Sequence, residues 1–546
     1  MTEMVLLAVT SAISIPAQLR RLGRVRSGIV LVYNRGASLV KTGYLIAIAL
    51  SLALAHDSRA VNLLVYSNTD SGPGSLRQRI ADNASLGGGN TIIFSNVVAG
   101  TITLTTGELL ISNNVTILGP GATVLRVDGN ASGRVFHVTN GVAAAISGLT
   151  ITNGSVSGAG GGGILDEGAT LAVSNCTIGG NSADVGAGLS VASSTATVVN
   201  CTISGNTPYY YGGGIYNYYS TLMVSNCTIS GNAAGEGGGI YNWGYAGSVA
   251  LTVIASALSS NSAAGGFGGG IYIQAEYGNA TVTIVASTFS DNSADWGGAI
   301  YNYTCPPGST TLKVIACTFS GNTAAQGGGL INDAYSCPDI ATRGGGGPAT
   351  SSSGATVEIG NTILNAGASG GNITNLAGTV TSDGYNLSSD NGGGFLTATG
   401  DQINTDPKLG PLADNGGPTK TMALRVGSPA IDAGKGFGLT TDQRGYPRIY
   451  VNPNSILPAG GDGADIGAYE ASALCITAAQ KTGNHLGLGF TTWLGTNYEV
   501  QSRSNMTTGS WASLPGSTPG NGGIANTTVS NAFNQSQQFY RIHPVP

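Results

Sequence analysis

The sequence predicts an all-β protein: a right-handed parallel β-helix of about eleven coils, preceded by a helical cap and followed by a small β-sandwich. Three observations predict this fold. An asparagine recurs at nearly even spacing between positions 181 and 322. A glycine mark such as "GGGIYN" recurs in phase with it, and the segments between marks alternate β-branched residues without helical periodicity. A repeat this short cannot bury its apolar face alone, so its copies must stack.

The two repeated positions define the register that we expect between coils. The asparagines are Asn181, Asn206, Asn232, Asn261, Asn292 and Asn322. The aliphatic residues that follow the glycine marks are Ile164, Leu189, Ile215, Ile240, Ile271, Ile300 and Leu330. Each set should form a column along the solenoid, with the asparagines hydrogen-bonded from coil to coil.

Positions 1–60 are typical of a secretory signal peptide with a long basic lead. Several arginines and a lysine precede the apolar run "YLIAIALSLALA", which is too short for a confident membrane span. Cleavage after Ala55 leaves 16 basic and 26 acidic residues, a formal charge of −10. We therefore expect a secreted or outer cell-surface protein with no membrane span in the mature chain, and no nucleic-acid partner.

Residues 61–90 are predicted to cap the open N-terminal end of the solenoid, because an exposed terminal coil is a sheet edge. The string "GSLRQRIADNAS" is typical of a short amphipathic helix. Ser75 is its expected N-cap residue and Gln78 the expected partner in a capping box.

Residues 91–395 form the predicted β-helix, and a cysteine column runs through it. Cys176, Cys201, Cys227 and Cys317 share one repeat position, which serine occupies in the intervening coils. We interpret this column and the asparagine column as structural stacking positions. The alternative, a metal or redox line, lacks histidines and Cys-x-x-Cys spacing.

Export permits disulfides, and Cys305 and Cys337 each follow the aliphatic mark of their coil, in two consecutive coils. We predict that these two cysteines form one disulfide, which leaves Cys475 over. No cofactor is predicted.

Residues 396–472 are predicted to form a C-terminal cap, and residues 473–546 carry several short strands that predict the small β-sandwich. In the cap, Asp442 and Arg444 are expected to take part in the packing. Asp462, Asp465 and Glu470 are interpreted as structural hydrogen-bonding groups, with a structural calcium ion as the alternative.

The stretch that contains "LADNGGPTKTMALRVGSPAIDAG", "DQRGYPR" and "DIGAYE" resembles the choice-of-anchor Q domain of bacterial surface β-helix proteins. The "GGGIYN" and "FSGNTA" alternation is similar to the repeats of polymorphic outer-membrane proteins, and "NTDSGPGSLRQRI" resembles the cap found with such solenoids. Together these resemblances cover roughly residues 66–470 and imply a pectin-lyase-like fold on a secreted or surface protein, usually without assigned activity. The chain departs from the pattern in having no Leu-Pro-x-Thr-Gly-type sorting motif.

An enzyme of the pectin-lyase-like class is the alternative function. A lyase acting on a polyuronate needs cations, yet Lys313 is the only lysine or arginine between Arg134 and Arg343. A hydrolase needs two carboxylates from adjacent coils, whereas we interpret the scattered acids as solvated or turn-capping groups. No catalytic residue and no metal ligand is assigned. The acids are Asp166, Glu167, Asp184, Glu236, Asp291, Asp295 and Asp333.

Aromatic residues beside the glycine marks predict the binding function that we favour. In a solenoid the same repeat position means the same face, so these rings should form a stripe that stacks on the sugars of a polysaccharide or cell-surface glycan. The alternative is that alternate rings point inward or stack on one another from coil to coil. The expected contact residues are Tyr209, Tyr210, Tyr211, Tyr216, Tyr218, Tyr241, Trp243, Tyr272, Trp296 and Tyr301. The sequence thus predicts a non-catalytic adhesin or glycan-binding scaffold.

Overall fold

The structure is a computed structural model. It describes residues 60–334, 354–425, 427–448, 457–471, 476–492, 497–504, 510–520, 524–534 and 538–545. The predicted signal peptide, apart from Ala60, lies outside these residues. Within the described residues, no helix is long and apolar enough to cross a membrane.

Three long parallel sheets form the predicted β-helix, and each coil adds one strand to each sheet in turn. Sheet A has twelve strands: Asn62–Val65, Asn90–Phe94, Val115–Leu118, Ala143–Ser147, Thr170–Ser174, Thr195–Val199, Thr221–Ser225, Ser248–Ile254, Asn279–Val285, Ser309–Ile315, Ala355–Gly360 and Thr379–Gly384. Sheet B has eleven: Gly100–Thr103, Leu125–Asp128, Thr150–Thr152, Thr177–Gly179, Thr202–Ser204, Thr228–Ser230, Ala257–Ser259, Thr288–Ser290, Thr318–Ser320, Ile363–Asn365 and Leu387–Ser388. Sheet C has ten: Leu109–Ile111, Phe136–Val138, Ile164–Glu167, Leu189–Ala192, Ile215–Tyr218, Ile240–Tyr245, Ile271–Glu276, Ile300–Cys305, Leu330–Asp333 and Ile373–Asn375.

Short strands join sheet B to sheet C in the middle coils. They form a two-stranded sheet, Ser182–Val185 with Thr207–Tyr211, and a three-stranded sheet of Ala233–Ala234, Ser262–Phe267 and Ser293–Trp296.

The aliphatic column has the register that the repeat predicts. Ile164 pairs with Leu189, Leu189 with Ile215, and the pairing continues through Ile240, Ile271 and Ile300 to Leu330. These side chains are buried and belong to one hydrophobic core that runs along the solenoid. The predicted fold class is therefore confirmed.

The asparagine ladder lies between sheet B and sheet C. The six predicted asparagines are buried, and each of the first five donates from its backbone N–H and its Nδ2 to the Oδ1 of the next. Each Nδ2 also donates to a backbone carbonyl of the previous coil, as Asn206 does to Ile178 at 3.0 Å. The amides thereby satisfy buried backbone groups where each coil turns.

The glycine marks are required by the turn that follows the ladder. Gly212 has a φ of 65°, and a Cβ there would lie 2.6 Å from the carbonyl oxygen of Ile215. Side chains are strained in that conformation and have no space in it, so glycine begins sheet C in successive coils.

The cysteine column is buried and makes the same contacts as serine. The backbone N–H of Cys176 donates to Sγ of Cys201 at 3.4 Å, and that of Cys227 donates to Oγ of Ser256 at 3.1 Å. Each thiol or hydroxyl also lies within bonding distance of the carbonyl two residues before it, as in Cys201 with Val199 at 3.3 Å.

The N-terminal cap is the helix Leu76–Ser85, whose Leu76 and Ile80 are buried in the solenoid core. Oγ of Ser75 accepts the backbone N–H of Gln78 at 3.2 Å, as expected of the N-cap. The expected capping box is wrong, because the Gln78 amide donates to Asp82 at 2.8 Å and the Ser75 N–H donates to the Gly72 carbonyl. A Gly72 turn thus satisfies the donor that the box would have used.

The C-terminal end of the solenoid is closed by Phe395 and Leu396, which follow the short 3₁₀ helix Gly392–Gly394 and pack on the core. We call the described residues between 409 and 471 the flank segment. They begin with the antiparallel strands Leu409–Ala413 and Thr421–Leu424 and contact the last five coils, including Leu387 of the last one. The flank segment therefore packs along the solenoid as well as on its last coil.

Two small antiparallel sheets follow. One contains Ile476–Thr482, His485–Thr491 and Ile524–Val529, and the other contains Asn497–Arg503, Ala512–Ser513, Thr518–Pro519 and Phe539–Val545. Leu488 and Phe490 of the first sheet share a hydrophobic cluster with Tyr498 and Val500 of the second, which makes a small sandwich.

Candidate functional site

The outer surface of sheet C carries a ladder of stacked tyrosines. Tyr216, Tyr241, Tyr272 and Tyr301 are register partners in successive coils, one residue after the inward aliphatic column. Their ring centroids are separated by 5.6, 5.0 and 5.4 Å along the ladder. These distances are those of favourable aromatic pairs, so the rings stabilise coil stacking on the outside of the sheet.

The expectation that these four rings are exposed contact residues is wrong. Their exposed fractions are 8%, 3%, 4% and 5%. A second layer covers them, because the residues two positions later on each strand point outward as well and the short strands bring further rings over the ladder. The covering residues are Val185, Tyr211, Tyr218, Trp243, Phe267, Trp296 and Tyr303. Coil-to-coil stacking, the alternative, therefore describes these rings.

Exposed rings lie at both ends of a path of ring contacts that passes through the buried Tyr241, and we call the surface along this path the aromatic face. The path of ring contacts runs through Tyr209, Tyr210, Tyr211, Tyr241, Trp243, Tyr245 and Tyr277, with Tyr218 and Tyr219 beside it. Tyr209 is 76% exposed and Tyr210 47%, while Tyr245 and Tyr277 are 39% and 43% exposed. Of the ten predicted contact residues, Tyr209 and Tyr210 are thus the exposed ones; Tyr211, Tyr218, Trp243 and Trp296 are half-buried.

Polar groups are set among these rings. The hydroxyl of Tyr241 donates to Oε1 of Gln274, and the Gln274 amide donates to Glu276. Near the C-terminal end of the ladder, the Tyr301 hydroxyl donates to Asp333 at 2.7 Å. The buried ladder is therefore connected to two carboxylates, that of the half-buried Glu276 and that of the buried Asp333.

Glu236 and Glu276 both lie near Tyr241: Glu236 pairs with Tyr211, whose ring contacts Tyr241, and Glu276 accepts from Gln274, which accepts from the Tyr241 hydroxyl. Glu236 follows Tyr211 by one coil, and both residues are half-buried. Burial raises the pKa of Glu236, and the charge of Glu276 raises it further. Burial and the charge of Glu236 likewise raise the pKa of Tyr211 and Tyr241. The two carboxyl groups thus lie beside the same group of rings, which the interpretation of Glu236 as a scattered acid missed.

The repeat gives no signal for this pair, because Glu236 immediately precedes one glycine mark and Glu276 lies at the end of the strand that follows the next mark.

An ion-pair network lies in the same outward column, towards the N-terminus. His137 lies between Glu108, at 2.9 Å from Nδ1, and Glu167, at 3.0 Å from Nε2, and Arg134 pairs with Glu108. Burial would raise the pKa of Glu108, but His137 and Arg134 hold it below its usual range. Each glutamate is separated from His137 by one coil of sequence, which is the signal that sequence reasoning missed.

Asp166 lies inside the solenoid, contrary to its interpretation as a solvated or turn-capping acid. Its register partners lead through Val191 to Asn217 and Asn242, which are also fully buried. Neither carboxyl oxygen has a hydrogen-bond partner among the described residues, and burial raises the pKa from 3.8 to about 7. Asp333, another of the scattered acids, is buried as well.

The three acids proposed as calcium ligands accept backbone hydrogen bonds. Asp465 accepts the N–H of Asp432 at 2.7 Å, Glu470 accepts that of Asp465 at 2.9 Å, and Asp462 accepts that of Gly436 at 2.9 Å. These contacts support the hydrogen-bonding interpretation. Asp442 pairs with the buried Arg444 at 2.7 Å in the same segment.

The cysteines fall into two groups. Cys176, Cys201, Cys227 and Cys317 are buried free thiols, whereas Cys305 is disulfide-bonded. Cys337 and Cys475 lie outside the described residues, so the pairing of Cys305 with Cys337 stays a prediction.

Comparison with known proteins identifies the architecture. Residues 90–257 match the family model described as a right handed beta helix region. The match begins at the first full coil, and the three sheets continue beyond its end to Ser388. The chain matches no curated protein.

Proposed function

We propose that this protein is a secreted or cell-surface β-helix that binds carbohydrate on its aromatic face. The observation that carries the proposal is the exposure of Tyr209, Tyr210, Tyr245 and Tyr277 at the two ends of one path of ring contacts on the outside of sheet C. Exposed aromatic surface of this kind marks partner sites, and planar rings stack on the apolar faces of sugars.

The support beneath these rings favours binding. Tyr211 packs on the buried Tyr241 at 5.2 Å, and Trp243 packs on Tyr218 at 5.1 Å. Because the ladder fixes the covering rings before a ligand arrives, little side-chain entropy is lost on binding.

The polar groups among the rings suit sugar hydroxyls. Glu236 and Glu276 supply acceptors, and the Gln274 side chain supplies both a donor and an acceptor at the same place. A few polar groups placed in an aromatic surface are what fix the orientation of a small ligand or a sugar unit.

Export is supported by the sequence at positions 1–60 and by the low content of charged residues. The test is to express the full chain in a bacterial host and determine the N-terminal residue of the protein in the medium or envelope. Mature protein that begins at residue 56 is expected, and uncleaved cytoplasmic protein would contradict export.

Binding is tested with a glycan array, followed by calorimetric titration of each hit. The double variant Tyr209→Ala/Tyr210→Ala should lose about tenfold or more in affinity, because two exposed platforms are removed. Tyr66→Ala is the matched control, since Tyr66 is 50% exposed and directly follows the first strand of sheet A, at the N-terminal cap. Equal losses in both variants, or no hit on the array, would contradict the proposal.

Glycoside hydrolysis is the second candidate, and the two half-buried carboxyl groups near Tyr241, those of Glu236 and Glu276, favour it. A carboxyl group whose pKa is raised by burial and by a neighbouring carboxylate suits a general acid, and the second carboxylate would activate water or attack the sugar. Glu236→Gln should then abolish release of reducing ends and retain binding of the array hit. Binding without turnover in the unmodified protein would exclude this candidate.

A further inference from the structure

The aromatic face has acidic groups without cations to balance them. The chain contains no lysine or arginine between Arg134 and Lys313. Lys313 lies on sheet A, where it pairs with Glu358 at 2.7 Å and lies 3.6 Å from Asp383. Within the described part of the chain, Glu236 and Glu276 make no ion pair.

The partial burial of Glu236 and Glu276 increases the effect of the missing cations. Half-buried carboxylates next to aromatic rings interact more strongly with a charge than exposed ones, because less water screens them. The face therefore repels anionic polymers such as polyuronates and attracts a cation that reaches the two carboxyl groups.

Aromatic rings add a second attraction for the same kind of ligand. Glu236 pairs with Tyr211 of the preceding coil, and Glu276 accepts from Gln274, whose Oε1 accepts from the Tyr241 hydroxyl. A ring face also attracts an ammonium group directly. A ligand that combines a sugar ring with an amine would use the rings and the carboxylates together.

We propose that the aromatic face binds a polymer of amino sugars with free amines, whose sugar rings stack on the tyrosines and whose ammonium groups contact Glu236 and Glu276. This inference rests on the carbohydrate-binding function proposed above. It names the ligand class by its chemistry: a polysaccharide that is both pyranose-based and cationic. Neutral glycans would stack on the same rings but supply no cation to the two carboxyl groups.

The test compares three oligosaccharides of equal length by calorimetry at pH 6: a glucosamine oligomer, its N-acetylated counterpart and a neutral glucose oligomer. The glucosamine oligomer should bind about tenfold or more tighter than the other two at low salt, because only it supplies the ammonium groups. The preference should decrease as salt is added.

The double variant Glu236→Gln/Glu276→Gln should lose the preference for the amine while it can still stack on sugar rings. The matched control is Asp291→Asn/Glu358→Gln, which changes the net charge equally in an exposed turn and on sheet A. The control should keep the preference, because both of its sites lie away from the aromatic face.

The outcomes separate the two proposals. Equal affinity for the three oligomers, or a preference that survives in Glu236→Gln/Glu276→Gln, would overturn the amino-sugar inference and leave carbohydrate binding intact. Binding of none of the three, together with an empty glycan array, would overturn both. A preference lost equally in the control variant would assign the effect to net charge and overturn the inference.

Discussion

One side-chain oxygen, Oδ1 of Asn232, accepts two hydrogen bonds from Asn206: from the backbone N–H at 3.1 Å and from Nδ2 at 2.9 Å. The Nδ2 of Asn232 in turn donates to the carbonyl of Ile203 and to Asn261, both at 3.0 Å. Asparagine alone among the side chains of this size can accept and donate in this pattern without a charge. Four bonds across three coils therefore depend on one residue.

Replacement of that residue tests the ladder. Asn232→Ala leaves the donors of Asn206, the Ile203 carbonyl and the Asn261 oxygen without this partner in a buried place. We expect the apparent free energy of unfolding to fall by about 3–5 kcal/mol in denaturant titrations. Thr202→Ala, on an exposed position of the Asn206 coil, should change it by less than about 0.5 kcal/mol. Equal losses would contradict the role given to the amide.

The cysteine column should accept serine but not valine. Ser256 already occupies the column and accepts the Cys227 N–H, so Cys201→Ser should cost less than about 1 kcal/mol. Cys201→Val removes the acceptor of the Cys176 N–H and should cost about 1–3 kcal/mol. Thermal unfolding of both variants measures the difference, and a more stable valine variant would show that packing outweighs the hydrogen bond.

The same thiols should be unreactive in the folded protein. Burial raises the pKa of Cys201, and it raises that of Cys317 to about 12, so little thiolate exists at neutral pH. Mass spectrometry after iodoacetamide treatment should show the four column cysteines alkylated only when the protein is denatured first. Rapid labelling of the native protein would show that the column opens.

Asp166 should make stability depend on pH. Its pKa is about 7 in the folded protein and 3.8 ordinarily, so the folded state binds the extra proton between these values. Stability therefore falls as pH rises from about 4 to about 7, by about 4 kcal/mol in total, and stays low above that range. Asp166→Asn should remove this decrease. A variant whose pH dependence matches that of the unmodified protein would contradict the buried, unpaired carboxyl group.

The two classes of tyrosine should separate stability from binding. Tyr241→Ala removes a ring that is 3% exposed and should cost about 3–5 kcal/mol. Tyr209→Ala removes a ring that is 76% exposed and should change stability by less than about 0.5 kcal/mol, while it weakens glycan binding. Calorimetric titration and thermal unfolding of both variants check this. A stability loss in Tyr209→Ala would place that ring in the core.

The register of the solenoid could be predicted from the sequence because the coils repeat the same kinds of residue at the same positions. Ile215 and Ile240 each follow a glycine mark, and the chain has one inward direction available to both. The burial of Tyr216 and Tyr241 could not be predicted in this way. Both occupy an outward position, and they are buried only because Tyr211, Phe267 and other rings from neighbouring strands cover that surface. A repeat fixes the direction of a side chain, whereas exposure depends on what lies above it.

The burial of Asp166 was missed for a different reason. It stands two residues after Ile164, as the buried Asn217 stands two residues after Ile215, so alignment at the aliphatic mark would have placed it inside. Its carboxyl chemistry suggested a surface position instead. The placement of Glu236 and Glu276 near the same rings could not be predicted from the sequence either, because a coil with a longer strand and turn separates the two residues.

The flank segment hydrogen-bonds to four successive coils that precede the last coil. Thr419 donates to the Ala255 carbonyl, Thr288 to Gln443, Ala468 to Thr318 and Asn361 to the Asp465 carbonyl, at 3.1, 2.6, 3.0 and 2.9 Å. Coils of a solenoid otherwise contact only their neighbours and can unfold one at a time. Because one segment joins these four coils, they must open together, and their amide hydrogens should exchange as a single cooperative unit. The coils before residue 250 should exchange progressively from the N-terminal end. The coils that the flank segment contacts should therefore be the last to unfold.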